Sequence, residues 1–323
     1  MNIDRGKESF TTQEIDDLRA RLKAYKDYEE IGWNPLADRV GDVGGSTLSA
    51  WCSGTYAGDM KSVAWKVNRF FLAEEARREM ELIAPIVPGF KQTPTARKIT
   101  AQLLWARRGK MVVISGHPGV GKTATFEQFV SDTPNAFLVT MSPATRSPTS
   151  MMIAILKAAG STSSYGGRAM NLLQAIIDRL TGMNAVMIVD EVQHLDDEAL
   201  ELLRAIHDQV KCGLALGGNP EVMKRVQRGA RTAAFAQLAS RVSWPAHYER
   251  PTDADLDVIL AAWGVERESE KRFLKGVSAQ GGGLRSVTQC LEMATLDSRS
   301  TDEERTLGHL KAAWQQRTTP QAA

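Results

Sequence analysis

The stretch GHPGVGKT at residues 116–123 restricts the fold of this chain more than any other part of its sequence. It matches the pattern G-x-x-x-x-G-K-[ST], in which glycines let backbone N–H groups turn inward around phosphates. The apolar run MVVIS precedes it at 111–115, and a helical pattern follows it, as this loop requires. We therefore expect a nucleotide site here, formed by Gly116, His117, Pro118, Gly119, Val120, Gly121, Lys122, Thr123 and Ala124.

Two carboxylates provide the second half of such a site. In a loop of this kind Lys122 reaches the β and γ phosphates of ATP, and Thr123 ligates Mg²⁺. Asp190 and Glu191 end the apolar run AVMIVDE, where Asp190 would hold Mg²⁺ and Glu191 would polarise the attacking water. Alone, such a strand end is as often merely solvated, but together with the loop it predicts ATP hydrolysis.

Apolar runs alternate with helical stretches through the middle of the chain. Besides MVVIS they are AFLVTMS (136–142), AVMIVDE (185–191) and GLALGGN (213–219). This alternation predicts a parallel sheet with helices on both faces. After Trp244-Pro245 no further strand is expected, and helices near 253–263, 267–278, 284–297 and 302–315 predict a small helical module.

The sequence pattern of the N-terminal part predicts helices throughout 11–81, with Thr11 or Thr12 as the first cap. Asn34-Pro35 is expected to open the helix LADRVG, and STLSAWCSG follows a glycine-containing turn, which is typical of a helix-turn-helix. The segment 84–95 contains three prolines and indicates a linker. We expect a helical domain at 1–83, the linker at 84–95, a nucleotide-binding domain at 96–248, a helical lid at 249–316 and a tail at 317–323.

Composition excludes several classes of protein. The chain has 40 Lys and Arg against 38 Asp and Glu, a net charge of +2, so DNA binding would depend on local patches rather than on bulk charge. Cys52, Cys212 and Cys290 lie far apart and indicate neither a zinc site nor a disulfide framework. No signal peptide or membrane span is recognisable, and we expect a cytoplasmic protein of a bacterial or phage-infected cell.

Several motifs together resemble one family. GHPGVGKT, IVDEVQHL, Gly218-Asn219, FAQLASRV and GGGLRSVTQCL are similar to AAA+ ATPases, most closely the transposition ATPases typified by phage Mu protein B, with Tn7-type transposition regulators as a wider circle. The resemblance implies an α/β P-loop AAA+ domain, a parallel sheet with flanking helices, plus a small helical lid. An all-α helix-turn-helix domain would precede it.

The same resemblance implies roles for three more residues. Asn219 resembles sensor 1, Arg241 the arginine finger that a neighbouring subunit inserts, and Arg285 sensor 2 of the lid. Each has a simpler interpretation: Asn219 as the start of a helix, Arg241 and Arg285 as exposed helix residues. Arg228 or Arg231 could equally be the finger.

A finger supplied in trans implies assembly. By resemblance, the ATP-bound chain would form oligomers or helical filaments on duplex DNA, mark that DNA as target, recruit and stimulate a DDE-type transposase, and disassemble on hydrolysis. A helicase loader or replication initiator is one alternative. A nucleotide-gated transcription regulator is another.

Candidate DNA contacts lie in both parts of the chain. In the N-terminal domain they are Ser46, Thr47, Ser49, Tyr56 and Lys61, and in the rest of the chain Arg146, Lys224, Arg225 and Arg228. The recognition helix has no Arg, Asn or Gln for bidentate base contacts, so we expect largely non-specific binding. A helical bundle that docks a protein, and a solvated charged face, are the respective alternatives.

Overall fold

The computed structural model of the chain describes residues 10–161, 168–229 and 233–318. The chain divides into two compact units, Met1–Ala84 and Pro85–Ala323, each with hydrophobic clusters of its own. In the part of the chain that is described, no helix combines enough length and apolarity to cross a bilayer.

The first unit is all helical. Its helices are α1 (Thr12–Tyr28), α2 (Trp33–Val40), α3 (Gly45–Ser53) and α4 (Met60–Ile83). Thr11 caps α1 in a capping box with Glu14. The predicted start of α2 at Asn34-Pro35 is wrong, because the helix begins at Trp33 after Gly32. Pro35 fits within its first turn, where backbone N–H groups have no partner inside the helix.

In the described part of the second unit, five parallel strands form one sheet in the order β2-β3-β4-β1-β5. The strands are β1 (Met111–Gly116), β2 (Ala136–Thr140), β3 (Val186–Asp190), β4 (Gly213–Gly218) and β5 (Val242–Tyr248). The order reverses at β1, which lies between β4 and β5, so ligands are expected beyond its carboxyl end. The expectation that strands stop at Trp244-Pro245 is wrong, since β5 continues to Tyr248.

Helices cover both faces of this sheet, as predicted. They are α5 (Pro94–Ala106), α6 (Lys122–Asp132), α7 (Pro148–Ala158), α8 (Ala169–Leu180), α9 (Asp197–Val210), α10 (Pro220–Gly229) and α11 (Ala233–Arg241). Helices α5 and α6 bury one face around Ile114 and Phe126, and α7–α9 pack against the other around Val113 and Met187. Helix α5 begins inside the segment expected as a linker, with Thr93 as its cap and Pro94 in its first turn.

The C-terminal helices form a separate small cluster, which we call the lid. They are α12 (Asp253–Ala262), α13 (Glu268–Ala279), α14 (Gly283–Ser300) and α15 (Leu307–Thr318). Asp255 ties the first of them to α5: its carboxylate accepts from the backbone N–H and the hydroxyl of Thr95 at 2.7 and 2.6 Å. The lid is therefore attached to the sheet domain through a buried polar contact.

Candidate nucleotide site and family membership

The phosphate loop follows β1 with backbone conformations that glycine adopts easily. Gly119 and Gly121 have φ of 81° and 93°, in the region that favours glycine. Gly121 also precedes α6 without a side-chain cap, which leaves the first N–H groups of that helix available to an anion. At Gly116 glycine is required for a different reason, because a Cβ there would lie 2.5 Å from the Tyr248 carbonyl oxygen. The loop is thus shaped for close approach of phosphates.

The remaining loop residues divide by exposure. His117, Pro118 and Ala124 are exposed, and Val120 is buried. The His117 N–H donates to the Tyr248 carbonyl at 3.1 Å, which fastens the loop to β5. The strand that sequence reasoning missed therefore supports the phosphate loop directly.

Lys122 lies inside this loop. Its Nζ donates to the carbonyl oxygens of Gly116 at 2.7 Å and His117 at 3.2 Å. Burial lowers the pKa of Lys122 from its ordinary value, while the charges of Asp190 and Glu191 oppose that shift. The ammonium is positioned where the phosphates of a nucleotide would meet it.

Thr123 and Asp190 meet across the loop. The Thr123 hydroxyl donates to Asp190 Oδ2 at 2.8 Å, and the Glu191 N–H donates to Asp190 Oδ1 at 2.9 Å. Burial raises the pKa of Asp190, although both hydrogen bonds oppose the change. A hydroxyl and a carboxylate are oxygen ligands of the kind Mg²⁺ prefers, so the donor set fits that ion.

Glu191, Gln193 and Asn219 form a third group at this edge of the sheet. Glu191 has a left-handed backbone, with φ of 57°, that turns the chain after β3. Its carboxylate accepts a hydrogen bond from the Gln193 amide, whose oxygen accepts from the Asn219 N–H at 3.2 Å. Asn219 Oδ1 accepts from the Glu221 N–H at 2.9 Å, so Asn219 does start a helix while lying beside the site. Sequence reasoning missed Gln193, whose only signal was its place in IVDEVQHL.

The lid touches the phosphate loop backbone to backbone. The Leu284 N–H donates to the Gly119 carbonyl at 2.9 Å. A Cβ on Gly119 would lie 1.8 Å from the Gly282 carbonyl oxygen, so no side chain fits between the two loops. Arg285 follows in the first turn of α14, is exposed, and its charge contributes to the lowered pKa of Lys122. The structure thus brings Arg285 to the nucleotide site.

Arg241 lies elsewhere. It directly precedes β5, whose first residue pairs with Met111 at the start of β1, whereas the phosphate loop follows the far end of β1. Its guanidinium donates to Asp208 Oδ1 at 3.0 Å and is half exposed. The length of a strand, about 15 Å, separates it from its own site. Arg231 lies outside the described residues, and so does the side chain of Arg228.

The candidate DNA contacts of the first unit surround α3. Ser46 is exposed, and Thr47 and Ser49 are partly exposed, while Leu48 and Trp51 are fully buried as predicted. Tyr56 packs against the helical core, and Lys61 is exposed. The helix therefore presents short polar side chains outward.

In the second unit the candidate DNA contacts differ in the hydrogen bonds and ion pairs that their side chains make. Arg146 is exposed at the end of a short 3₁₀ turn after β2. Lys224 pairs with Glu221 at 3.2 Å. Arg225 donates to the Leu195 carbonyl at 2.8 Å and to Asp197 at 2.5 Å, so it ties α10 to the loop after β3. Of these three, Arg225 has a clear structural role.

Comparison with known proteins identifies the chain's relatives. A family model for the AAA domain matches residues 106–226, and one for the C-terminal part of the Mu B transposition protein matches residues 240–316. The Mu-like prophage FluMu DNA transposition protein B of Haemophilus influenzae is 31% identical, over 83% of this chain and 93% of that protein. The chain belongs to the Mu B family of transposition proteins.

Two phage relatives of the Mu B family extend the match over nearly the whole chain. The ATP-dependent target DNA activators B of Escherichia phages D108 and Mu are each 28% identical, over 94% of this chain and 95% of theirs. The region that matches the C-terminal family model contains β5 and all but the last two residues of the lid helices. Together the two family models thus cover the nucleotide site and the lid helices.

Solved structures show the same fold at low identity. The Aeropyrum pernix ORC1 protein, in complex with DNA, superposes with a TM-score of 0.53 at 17% identity, over 72% of this chain and 66% of that one. Cdc6p of Pyrobaculum aerophilum gives 0.51 at 14% identity, over 69% and 66%. The match spans just under two thirds of each of those proteins. With the AAA family match, the chain is a P-loop ATPase of the AAA type.

Proposed function

We propose that this Mu B family member is an ATP-dependent DNA-binding protein of transposition that acts in the cytoplasm of its host cell. In its ATP state it assembles on duplex target DNA and recruits and activates a DDE-type transposase, and hydrolysis disassembles it. The main support is that a P-loop ATPase domain and the C-terminal Mu B region lie in one chain whose phage relatives are named ATP-dependent target DNA activators.

The residues at the carboxyl end of the sheet would share the work of hydrolysis. Lys122 would bind the β and γ phosphates, and Asn219 and Arg285 would contact the γ phosphate as sensors. Glu191 orients and polarises the attacking water. Mg²⁺, held by Thr123 and Asp190, would neutralise charge on the phosphate oxygens.

Self-assembly follows from the position of Arg241 in this proposal. The half-exposed guanidinium lies at the sheet edge opposite its own phosphate loop, so it can complete only a neighbour's site. An arginine that stabilises transition-state charge from a second subunit makes hydrolysis depend on contact between subunits. Repetition of such a head-to-tail contact gives a ring or a helical filament.

DNA binding in this proposal relies on contacts between side chains and the phosphates of the DNA. Ser46, Thr47 and Ser49 on α3 carry hydroxyls suited to phosphates rather than to bidentate base contacts. Tyr56, Lys61, Arg146, Lys224, Arg225 and Arg228 add further phosphate contacts. Binding is then largely independent of DNA sequence and weakens as salt concentration rises.

Electron microscopy of the purified protein with duplex DNA of arbitrary sequence tests the proposal. We expect filaments on DNA with ATP and Mg²⁺ and none without nucleotide. Lys122→Ala should abolish them, because Lys122 Nζ is the buried cation of the phosphate loop. The matched control Lys157→Ala, on the exposed side of α7, should form filaments like the wild type.

Thermal unfolding of both variants separates loss of nucleotide binding from loss of fold. Discrete particles at a few DNA sites, or the same assemblies with and without ATP, would refute target-DNA filaments. Addition of the partner transposase then tests activation, measured as strand transfer into DNA bound by the wild type.

A further inference from the structure

Gln193 joins the ends of two neighbouring strands beside the nucleotide site. It lies three residues after β3, and its side-chain amide reaches back to the Glu191 carboxylate and across to the Asn219 N–H. It fits closely against β4, since a Cβ on Gly218 would lie 2.5 Å from Gln193 Oε1. The side chain therefore spans the gap between the candidate base and the candidate sensor.

Only one orientation of the amide satisfies both neighbours. The Gln193 nitrogen can donate to the Glu191 carboxylate, and its oxygen can accept from the Asn219 N–H. Rotated by half a turn, the amide would place its oxygen against the carboxylate and its NH₂ group against the N–H donor. Each contact thus fixes the other.

Asn219, the second partner of Gln193, is itself held in place by hydrogen bonds. Asn219 Oδ1 caps α10 through the Glu221 N–H at 2.9 Å, and Arg225 of the same helix donates to the Leu195 carbonyl at 2.8 Å. Helix α10 and the loop after β3 are therefore joined at two places. Because Gln193 hydrogen-bonds to both residues, the Glu191 carboxylate keeps one orientation relative to Asn219.

We propose that Gln193 is a positioning residue for ATP hydrolysis, which holds the Glu191 carboxylate in a fixed orientation relative to Asn219. This inference rests on the proposed hydrolytic role of Glu191. In this proposal Gln193 acts through Glu191 rather than on the nucleotide itself. Its loss should slow the chemical step and leave ATP binding unchanged.

Two substitutions separate the two contacts of Gln193. Gln193→Ala removes both. Gln193→Glu keeps an oxygen that accepts from the Asn219 N–H, but it cannot donate to Glu191 and places a like charge beside that carboxylate. Gln289→Ala, at an exposed position of α14, is the matched control.

In steady-state ATPase assays we expect kcat of Gln193→Ala to fall about tenfold or more, with KM for ATP within about twofold of wild type. Gln193→Glu should lower kcat at least as far, and Gln289→Ala should leave kcat and KM unchanged. A rise in KM parallel to the loss of kcat would overturn the proposal, as would a kcat of Gln193→Ala close to that of wild type.

Hydrogen exchange measured without nucleotide provides a second readout. The Asn219 amide should exchange faster in Gln193→Ala, which lacks its acceptor, and at the wild-type rate in Gln193→Glu. Equal exchange of the Asn219 amide in all three proteins would show that Gln193 does not accept a hydrogen bond from it. If the wild type itself hydrolyses no ATP, the proposed function fails; if it does and Gln193→Ala matches it, only the role of Gln193 fails.

Discussion

Asp255 is fully buried and yet carries a carboxylate. Thr95 and Thr252 each donate to it from both the backbone N–H and the hydroxyl, at 2.6–2.8 Å. Burial alone would raise the pKa of Asp255, but these hydrogen bonds outweigh it and the pKa is lowered. The ionised form is therefore the one that joins α5 to the lid.

Asp255→Asn places an NH₂ group against N–H and O–H donors and should lower the Tm of the second unit by about 5–10 °C at pH 7. Because the folded pKa is the lower one, the ionised carboxylate stabilises fully above the unfolded pKa of about 4 and loses this effect as pH falls through the folded pKa. The difference from wild type should thus shrink below pH 4. Calorimetry at several pH values measures it.

Asp257→Asn is the control, since Asp257 is exposed on the same helix and pairs with Lys275 at a distance of 3.9 Å. It should leave Tm nearly unchanged. Equal Tm values for wild type and Asp255→Asn at pH 7 would show that the buried carboxylate does not stabilise the attachment of the lid.

Single residues were predictable where their partners are near in the chain or belong to a known motif. Lys122 and Thr123 lie in one continuous pattern, and Asp190 ends a recognisable apolar run. Gln193 and Asp255 escaped prediction because their long-range partners, Asn219 and Thr95, are 26 and 160 residues away. No local pattern of spacing carries such information.

At the scale of elements, the four inner and edge strands with continuous apolar runs were predicted, and β5 was not. Its sequence VSWPAHY has no such run, and several of its side chains are exposed. Pro245 lacks an N–H and normally argues against a strand, but an edge strand tolerates it because one side has no partner. Pairing with β1, rather than local preference, makes this segment a strand.

The glycines at the start of α14 allow a testable prediction about the contact between the lid and the phosphate loop. Gly283 has φ of 51°, and a Cβ there would lie 2.8 Å from the Gly119 carbonyl oxygen and 2.9 Å from Pro251. Gly283→Ala should therefore displace the lid from the phosphate loop and lower ATPase activity about tenfold or more. Turnover at saturating ATP, with Tm measured alongside, checks this.

Gly276→Ala serves as the matched substitution, because Gly276 lies in α13 with open space around its Cα. It should keep wild-type turnover and leave Tm unchanged or slightly raised. Similar turnover of the two alanine variants would contradict a requirement for close contact between lid and loop.

At the scale of the whole molecule, the parallel sheet separates the nucleotide site from Arg241. Its carboxyl edge carries the phosphate loop and Asp190, and its amino edge carries Arg241. A residue at the amino edge cannot act on its own nucleotide. The proposed hydrolysis therefore belongs to pairs of subunits rather than to one.

Mixing inactive variants tests this division. Arg241→Ala should lower kcat by about 10³-fold or more, because a finger supplied in trans contributes at least that much. In an equal mixture with Glu191→Gln, which keeps Lys122 and so still binds ATP and assembles, about a quarter of the sites would combine an intact Glu191 with an intact finger, so activity should return to a similar fraction of wild type.

The double variant Glu191→Gln, Arg241→Ala gives the control, since it supplies neither part and should restore nothing. Near-normal turnover of Arg241→Ala alone would move the finger to Arg228 or Arg231. An inactive mixture of the two single variants would show that Arg241 does not act between subunits.

The strand order also determines when this protein can fold during its own synthesis. The phosphate loop leaves the ribosome well before β4 and β5, the two strands that flank β1. At about 5–20 residues per second, the roughly 130 residues between Gly116 and its partner Tyr248 need on the order of ten seconds. The N-terminal helices can fold in that interval from contacts near in sequence. The helical unit can thus fold before the nascent chain is able to hold a nucleotide.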